Sequence, residues 1–251
     1  MEGKTIILIT GANSGVGLEG AKVLSGNSKN HVIIGARSQE KGEKAVSELK
    51  PAASATLSNI VIDITDKQSL EAAVAQIDKE FGRLDVLCNN AGIISWSKDV
   101  FQNLQDTFNT NLFGAVAATE LFMPLILKSK DPRVINTSSN LGSIGCRSDP
   151  NDPYYGMKKM ADTYRMSKAA MNMLTACTLA NYGDQGVKAW SFCPGYVVTN
   201  LSGTGEKGRQ ERIENGAGDA SISGRTLAGI IDGKEDANVG KFVHKDGVYM
   251  W

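Results

Sequence analysis

The chain has 251 residues, 41% of them hydrophobic, and its 27 lysines and arginines are balanced by 27 aspartates and glutamates. That length suits one large domain or two small ones, and a zero formal charge argues against binding to nucleic acid or to an anionic membrane surface. No apolar run approaches the ~20 residues needed to cross a bilayer. The amino terminus enters the apolar stretch Thr5 to Ile9 without a basic region or cleavage site, so no secretory signal is expected and the expected location is cytoplasmic.

Short apolar runs alternate with segments of helical period along the whole chain. Thr5 to Ile9 reads as a first strand and leads into the turn Thr10, Gly11, Ala12, Asn13, Ser14, Gly15, Val16, Gly17. There Gly11 permits a tight turn, Gly15 lets backbone approach a pyrophosphate, and Gly17 allows close helix–strand packing, with the helix N-terminus facing the negative charge. Val32 to Ile34 reads as the second strand and ends in Gly35, Ala36 and Arg37, with Ser38 as N-cap of the next helix. The usual dinucleotide fingerprint places an acidic residue ~20 positions on, where it grips the ribose 2′-hydroxyl. Here no carboxylate stands to repel a 2′-phosphate, and the Arg37 guanidinium can bind one bidentately. NADP(H) is therefore expected ahead of NAD(H). The competing reading makes Arg37 a solvated residue at a helix start.

Ile60 to Ile62 reads as the third strand, and Asp66 as the N-cap of a helix whose apolar stripe is Leu70, Val74, Ile77 and Phe81. Gly82 stops that helix. Leu84 to Leu87, Val134 to Ile135 and Val187 to Phe192 complete the strands, and the stretch after Pro194 is too short for a separate substrate domain. No linker or repeat divides the chain. Strand–helix alternation with short connections implies a doubly wound α/β fold: one Rossmann-type domain over 1–251, whose mostly or fully parallel sheet of about seven strands is flanked by helices on both faces. The cysteines Cys88, Cys146, Cys177 and Cys193 form no C-x-x-C pair, and His31 and His244 sit near opposite ends. Free thiols in a reducing cytosol are expected, and no metal site.

A phenol titrates near ~10, so a tyrosine that moves protons at neutral pH needs help. A lysine one helical turn later supplies positive charge on the same face. Three such pairs occur: Tyr154/Lys158, Tyr155/Lys159 and Tyr164/Lys168. Only the last runs into an unbroken helical pattern (Ala169, Ala170, Met171, Leu174, Ala176, Leu179) ended by Gly183. The earlier two follow Pro150, Asn151, Asp152 and Pro153 and enclose Gly156, which is turn chemistry. The reaction is assigned to Tyr164, and Tyr154 and Tyr155 are read as pocket wall or packing.

At this point the chain resembles the short-chain dehydrogenase/reductase family, in its compact, carbonyl-reductase-like form. The likeness covers nearly the whole chain. It rests on the 10–17 turn, Asp63, the NNAG of Asn89, Asn90, Ala91 and Gly92, Asn111 with Gly114, the NTSSNLG of 136–142, the YRMSK of 164–168, and the PGYVVT of Pro194 to Thr199. The resemblance implies reversible hydride transfer between a nicotinamide and a carbonyl–alcohol pair. Tyr164 is then the general acid/base, Ser139 orients the substrate oxygen beside its structural neighbour Ser138, and Lys168 lowers the phenol's pKa and holds the nicotinamide ribose. It implies that Asn111 orders a water on the lysine's proton path. It also places Asp63 and Ile64 at the adenine, Asn90, Ala91 and Gly92 along the ribose, and Pro194, Gly195, Val197 and Thr199 at the nicotinamide. Homodimers or homotetramers are usual in the family, and the apolar ending Val248 to Trp251 is expected to be covered by a neighbouring subunit.

The chain departs from the family's shortest members in a longer interval, 143–163, between Ser139 and Tyr164. With Ile94, Trp96 and the Gly-rich polar stretch after Tyr196, read as a mobile lid within a 200–226 substrate loop, it is expected to shape a pocket for an apolar or aromatic substrate. Two rival functions stand beside this one. A sugar-nucleotide epimerase would carry a G-x-x-G-x-x-G turn and a longer carboxy-terminal domain. A catalytically silent NADP(H)-binding sensor or scaffold would bind nucleotide without hydride transfer.

Overall fold

The structure is a computed structural model that describes residues 3–49, 56–157, 161–201 and 205–251. Its centre is one sheet of eight strands in the order β3-β2-β1-β4-β5-β6-β7-β8. The strands are β1 (Thr5–Ile9), β2 (Asn30–Ala36), β3 (Thr56–Val61), β4 (Val86–Asn89), β5 (Arg133–Thr137), β6 (Lys188–Phe192), β7 (Phe242–His244) and β8 (Gly247–Tyr249). The first seven pair in parallel; β8 returns antiparallel on β7. The expected fold class therefore holds, with a short hairpin strand added at one edge. Strand order reverses between β1 and β4, and a sheet of this kind opens a crevice there, at the strands' carboxyl ends.

Alternation along β1 shows why both faces need cover. Ile6 and Leu8 join a core with α3 (Lys67–Phe81) and α5 (Gly114–Ile126), while Ile7 and Ile9 join another with α1 (Gly15–Ser25) and α9 (Ala220–Ile231). Each such side chain removed from water contributes about 1.5–3 kcal/mol. The stripe on α3 behaves as its spacing requires: Leu70 and Ile77 are buried, Val74 and Phe81 pack against the same core. Its caps are as expected, with Asp66 accepting from the Gln68 N–H at 2.9 Å and Gly82 left-handed at φ 71°. Ser38 caps α2 (Gln39–Glu48), accepting from the Lys41 N–H at 3.4 Å.

Two features differ from the sequence reading. The long central helix is split into α4 (Val100–Phe108), a π-helical turn (Asn109–Phe113) and α5. Part of the polar stretch after Tyr196 is a helix, α8 (Gly205–Glu214), rather than a loop. The carboxy-terminal residues are tied to the short helix α6 (Ile144–Ser148) within the 143–163 interval, while Val248, Met250 and Trp251 stay exposed. Gly145 N–H donates to the Trp251 carbonyl at 2.8 Å, Ser143 Oγ donates to the Met250 carbonyl at 2.9 Å, and the Trp251 ring stacks on Phe242 at 6.0 Å. No described helix is long and apolar enough to cross a membrane.

Candidate active site at the strand ends

The turn between β1 and α1 is shaped by missing side chains. Gly11 and Gly15 hold φ of 64° and 59°, where an L side chain is strained by roughly 1 kcal/mol or more. A Cβ on residue 17 would stand 2.5 Å from Asn90 Nδ2, so the end of β4 closes on this turn only over glycine. Thr10 braces the junction: its Oγ1 accepts from the Asn90 and Ala91 N–H groups at 3.0 and 3.1 Å and donates to the Cys88 carbonyl at 3.2 Å. Asn90 Nδ2 returns a bond to the Thr10 carbonyl at 2.8 Å. At the head of α1, Ser14 makes no side-chain capping bond, which leaves first-turn amides to face an anion. Thr199, from the turn after β6, lies against Gly15, its Cγ2 3.4 Å from where a Cβ would be. Gly-rich turn, Asn90–Gly92 strand end and Thr199 therefore meet, and this cradle fits a pyrophosphate.

The outlying nucleotide residues are more scattered. Arg37 is exposed just past β2, with no ion pair among the described residues. Asp63 accepts from the Thr65 N–H at 2.9 Å and from its hydroxyl at 2.7 Å. Ile64 turns its side chain into the core beside Gly114. Beyond β6, the Pro194 carbonyl accepts from Ser223 Oγ at 2.6 Å, and Val197 bridges to Gly218.

Tyr164 and Lys168 sit one turn apart near the start of α7 (Asp162–Tyr182), and both are buried. Lys168 Nζ lies 5.6 Å from the centroid of the Tyr164 ring and donates to the Thr137 carbonyl at 2.7 Å. Ser139 follows β5 and caps a 3-10 turn, Asn140–Gly142, accepting from the Leu141 N–H at 3.2 Å. Ser138 Oγ donates to the Lys168 carbonyl at 3.1 Å, tying β5 to α7. Burial pushes the Tyr164 phenol well above its ordinary pKa and the Cys193 thiol nearby adds to this, while a hydrogen bond with Ser139 and the charge of Arg212 act the other way. Burial lowers Lys168 from 10.5 to about 8. Of the competing tyrosines, Tyr154 is partly buried and Tyr155 exposed, both within turns; Lys158 and Lys159 lie outside the described residues.

Asn111 is fully buried in the π-helical turn. Its Oδ1 accepts from the Ile93 N–H at 2.8 Å, and its Nδ2 donates to the Ile93 carbonyl at 2.9 Å and to Ser167 Oγ at 3.0 Å. A Cβ on Gly92 would stand 3.3 Å from Asn111 Oδ1 and 3.5 Å from Lys168 Nζ, so both groups flank the same backbone. Sequence reasoning missed several supports of this cluster. Thr10, Thr137 and Ser167 lie inside the quoted motifs but were given no role, which shows only in the partners they bond. Cys193, read as a free thiol, accepts from the Asn140 and Gly195 N–H groups at 3.2 and 3.4 Å and so joins the Ser139 loop to the turn after β6. His244, at the end of β7, sets its Nε2 3.6 Å from where a Gly195 Cβ would be.

Comparison with known proteins shows the family of the chain. The family model described as short chain dehydrogenase matches residues 5–210. The short-chain dehydrogenase/reductase tropE of Talaromyces stipitatus is 34% identical, covering 97% of this chain and 96% of its own. Short-chain dehydrogenase anuI of Penicillium roqueforti is 37% identical over 80% of this chain and 81% of its own. Among solved structures, an NADPH-bound carbonyl reductase from chicken fatty liver superposes with a TM-score of 0.80 at 26% identity, over 100% of both chains.

Proposed function

The chain belongs to the short-chain dehydrogenase family, and on that premise we propose that it reduces a carbonyl to an alcohol, reversibly, taking NADP(H) ahead of NAD(H). A bound nicotinamide supplies the hydride that adds to the carbonyl carbon, or accepts it in the opposite direction. Gly11, Asn13, Ser14, Gly15, Val16 and Gly17 would hold the pyrophosphate, with the uncapped first turn of α1 to bind its charge. Arg37 and Ser38 take the 2′-phosphate; Asp63 and Ile64 border the adenine, Asn90 to Gly92 the ribose, and Pro194, Gly195, Val197 and Thr199 the carboxamide.

The proton comes from Tyr164. Burial keeps its phenol protonated at neutral pH, which suits a donor to the growing alkoxide. Ser139 donates a hydrogen bond to the same substrate oxygen as charge builds on it. After transfer the phenolate is held by Ser139 and by the Lys168 ammonium over the ring face; at pH 7 that ammonium keeps its proton, since its pKa is about 8. Asn111 anchors Ile93 and Ser167 and orders the water that reprotonates the pair, and its π-helical turn is the kind of irregularity common at functional sites. The observation that carries the reading is the stacked pair itself: Lys168 Nζ 5.6 Å from the Tyr164 ring, both buried.

The test is NADPH oxidation, followed at its absorbance band, over a panel of ketones, aldehydes and quinones. Turnover of at least one class is expected, with NADPH giving the higher kcat/KM. Nucleotide binding without oxidation across the panel would favour the silent sensor.

A further inference from the structure

Helix α8 lies beyond the turn after β6 and carries six charged residues, four of which fall into two exposed pairs. Lys207 faces Glu211 at 3.9 Å and Arg209 faces Glu206 at 3.7 Å. Arg212 differs. It is half-buried, its guanidinium carbon lies 5.1 Å from the centroid of the Tyr196 ring, and its side chain makes neither an ion pair nor a hydrogen bond among the described residues. A part-exposed guanidinium stacked on an aromatic face, with no protein partner for its five donors among the described residues, keeps them open to solvent and available to an anion.

The position of this cation narrows the choice of anion. Tyr196 follows Pro194–Gly195 in the turn after β6. At the far end of that turn Thr199 meets Gly15 of the pyrophosphate cradle, whereas Arg212 stacks at the near end. Its positive charge reaches the Tyr164 phenol and favours the phenolate. The near end of that turn is tied through Cys193 to the Ser139 loop, its Sγ accepting from the Asn140 and Gly195 N–H groups at 3.2 and 3.4 Å, so Arg212 stands on the Ser139 side of the turn and within electrostatic reach of the Tyr164 hydroxyl.

We propose that Arg212 binds a carboxylate carried by the substrate, so that the enzyme acts on oxo acids and their hydroxy-acid products. The planar fork of the guanidinium matches a carboxylate bidentately, and Tyr196 fixes the plane of the fork. With the acid anchored there, the carbonyl falls between Arg212 and Tyr164. This deepens the functional reading above and rests on its assignment of Tyr164 as the reacting residue.

The experiment compares 4-acetylbenzoate with its methyl ester on the parent, Arg212→Gln and Arg212→Lys proteins. The expected result is that the parent prefers the acid and that R212Q loses roughly 30-fold or more in kcat/KM for it, mostly through KM, the size of one charge-assisted pair. The ester should keep its KM, with kcat falling only as far as the Arg212 charge assists Tyr164, R212K should recover part of the loss in KM for the acid, and the affinity for NADPH, read from nucleotide fluorescence, should be unchanged. Calorimetric titration of the acid into NADP⁺-loaded protein reads the same contact without turnover, which separates failure of this assignment from failure of the reductase reading. Equal losses for acid and ester would make Arg212 a packing residue of α8. Weaker NADPH binding in R212Q would assign it to the nucleotide phosphates, and no binding of the acid to the parent protein would also overturn the proposal.

Discussion

In the proposed reaction Tyr164 bears two demands that pull against each other: it must hold a proton at neutral pH and release it to an alkoxide. Burial meets the first and Ser139, Arg212 and the ammonium of Lys168 meet the second. Tyr164→Phe removes one hydroxyl and leaves the ring in place. Its kcat is expected to fall by about 10²–10⁴ with the thermal midpoint little changed, and turnover above a few per cent of the parent would remove Tyr164 from the acid/base role. At the other end of the nucleotide, Arg37 is exposed and unpaired among the described residues, so its replacement disturbs little else. Arg37→Glu puts a carboxylate where a 2′-phosphate would lie, and the ratio of kcat/KM for NADPH over NADH is expected to drop at least ~10-fold, about 1.4 kcal/mol. A ratio near one in the parent protein would refute the cofactor preference itself.

Among the elements, Gly142 shows how tightly the site is assembled. A Cβ there would stand 2.6 Å from the Lys168 carbonyl carbon and 2.8 Å from the Ala169 nitrogen, both backbone atoms that cannot swing aside. Gly142→Ala is expected to push the Ser139 turn off α7, lowering stability by about 1–3 kcal/mol and kcat with it; calorimetry and turnover on one sample check both. Elements with a strong local signature were legible from sequence. β1 was read with the bounds it has, and α7 followed from the apolar pattern after Tyr164. The elements that escaped lack such a signature. α8 has no apolar stripe and two glycines, and its exposed pairs at i,i+4 and i,i+3 add only tenths of a kcal/mol each. β7 and β8 are three residues each, too short for alternation to show, and β8 is largely exposed. The π-helical turn differs from the helix around it by one added residue per turn, which leaves hydrophobic spacing nearly untouched. At the site, named residues came from motifs, and their partners Thr137, Ser167 and Cys193 came only from three-dimensional packing.

Taken whole, the molecule leaves one helical face uncovered. On α7 the exposed Met166, Met173 and Cys177 recur at helical spacing, and Phe113 and Val116 are exposed near by in the central helix region. A homo-oligomer that covers these helices is proposed, and sedimentation as a monomer at micromolar concentration would defeat it. The same whole-molecule view applies to Lys168, an ammonium shut away from water in the middle of the fold. The unfolded chain keeps that proton to pH 10.5, the folded one only to about 8, so below pH 8 its charge opposes folding by an amount on the order of 3 kcal/mol, and the opposition fades as pH climbs between those values. Lys168→Met is expected to resist denaturant better than the parent at pH 7 and to lose that margin by about pH 10; a margin that ignores pH would contradict the lowered value. A chain selected for durability alone would have discarded this residue, and its presence marks where holding together has been traded against turning over.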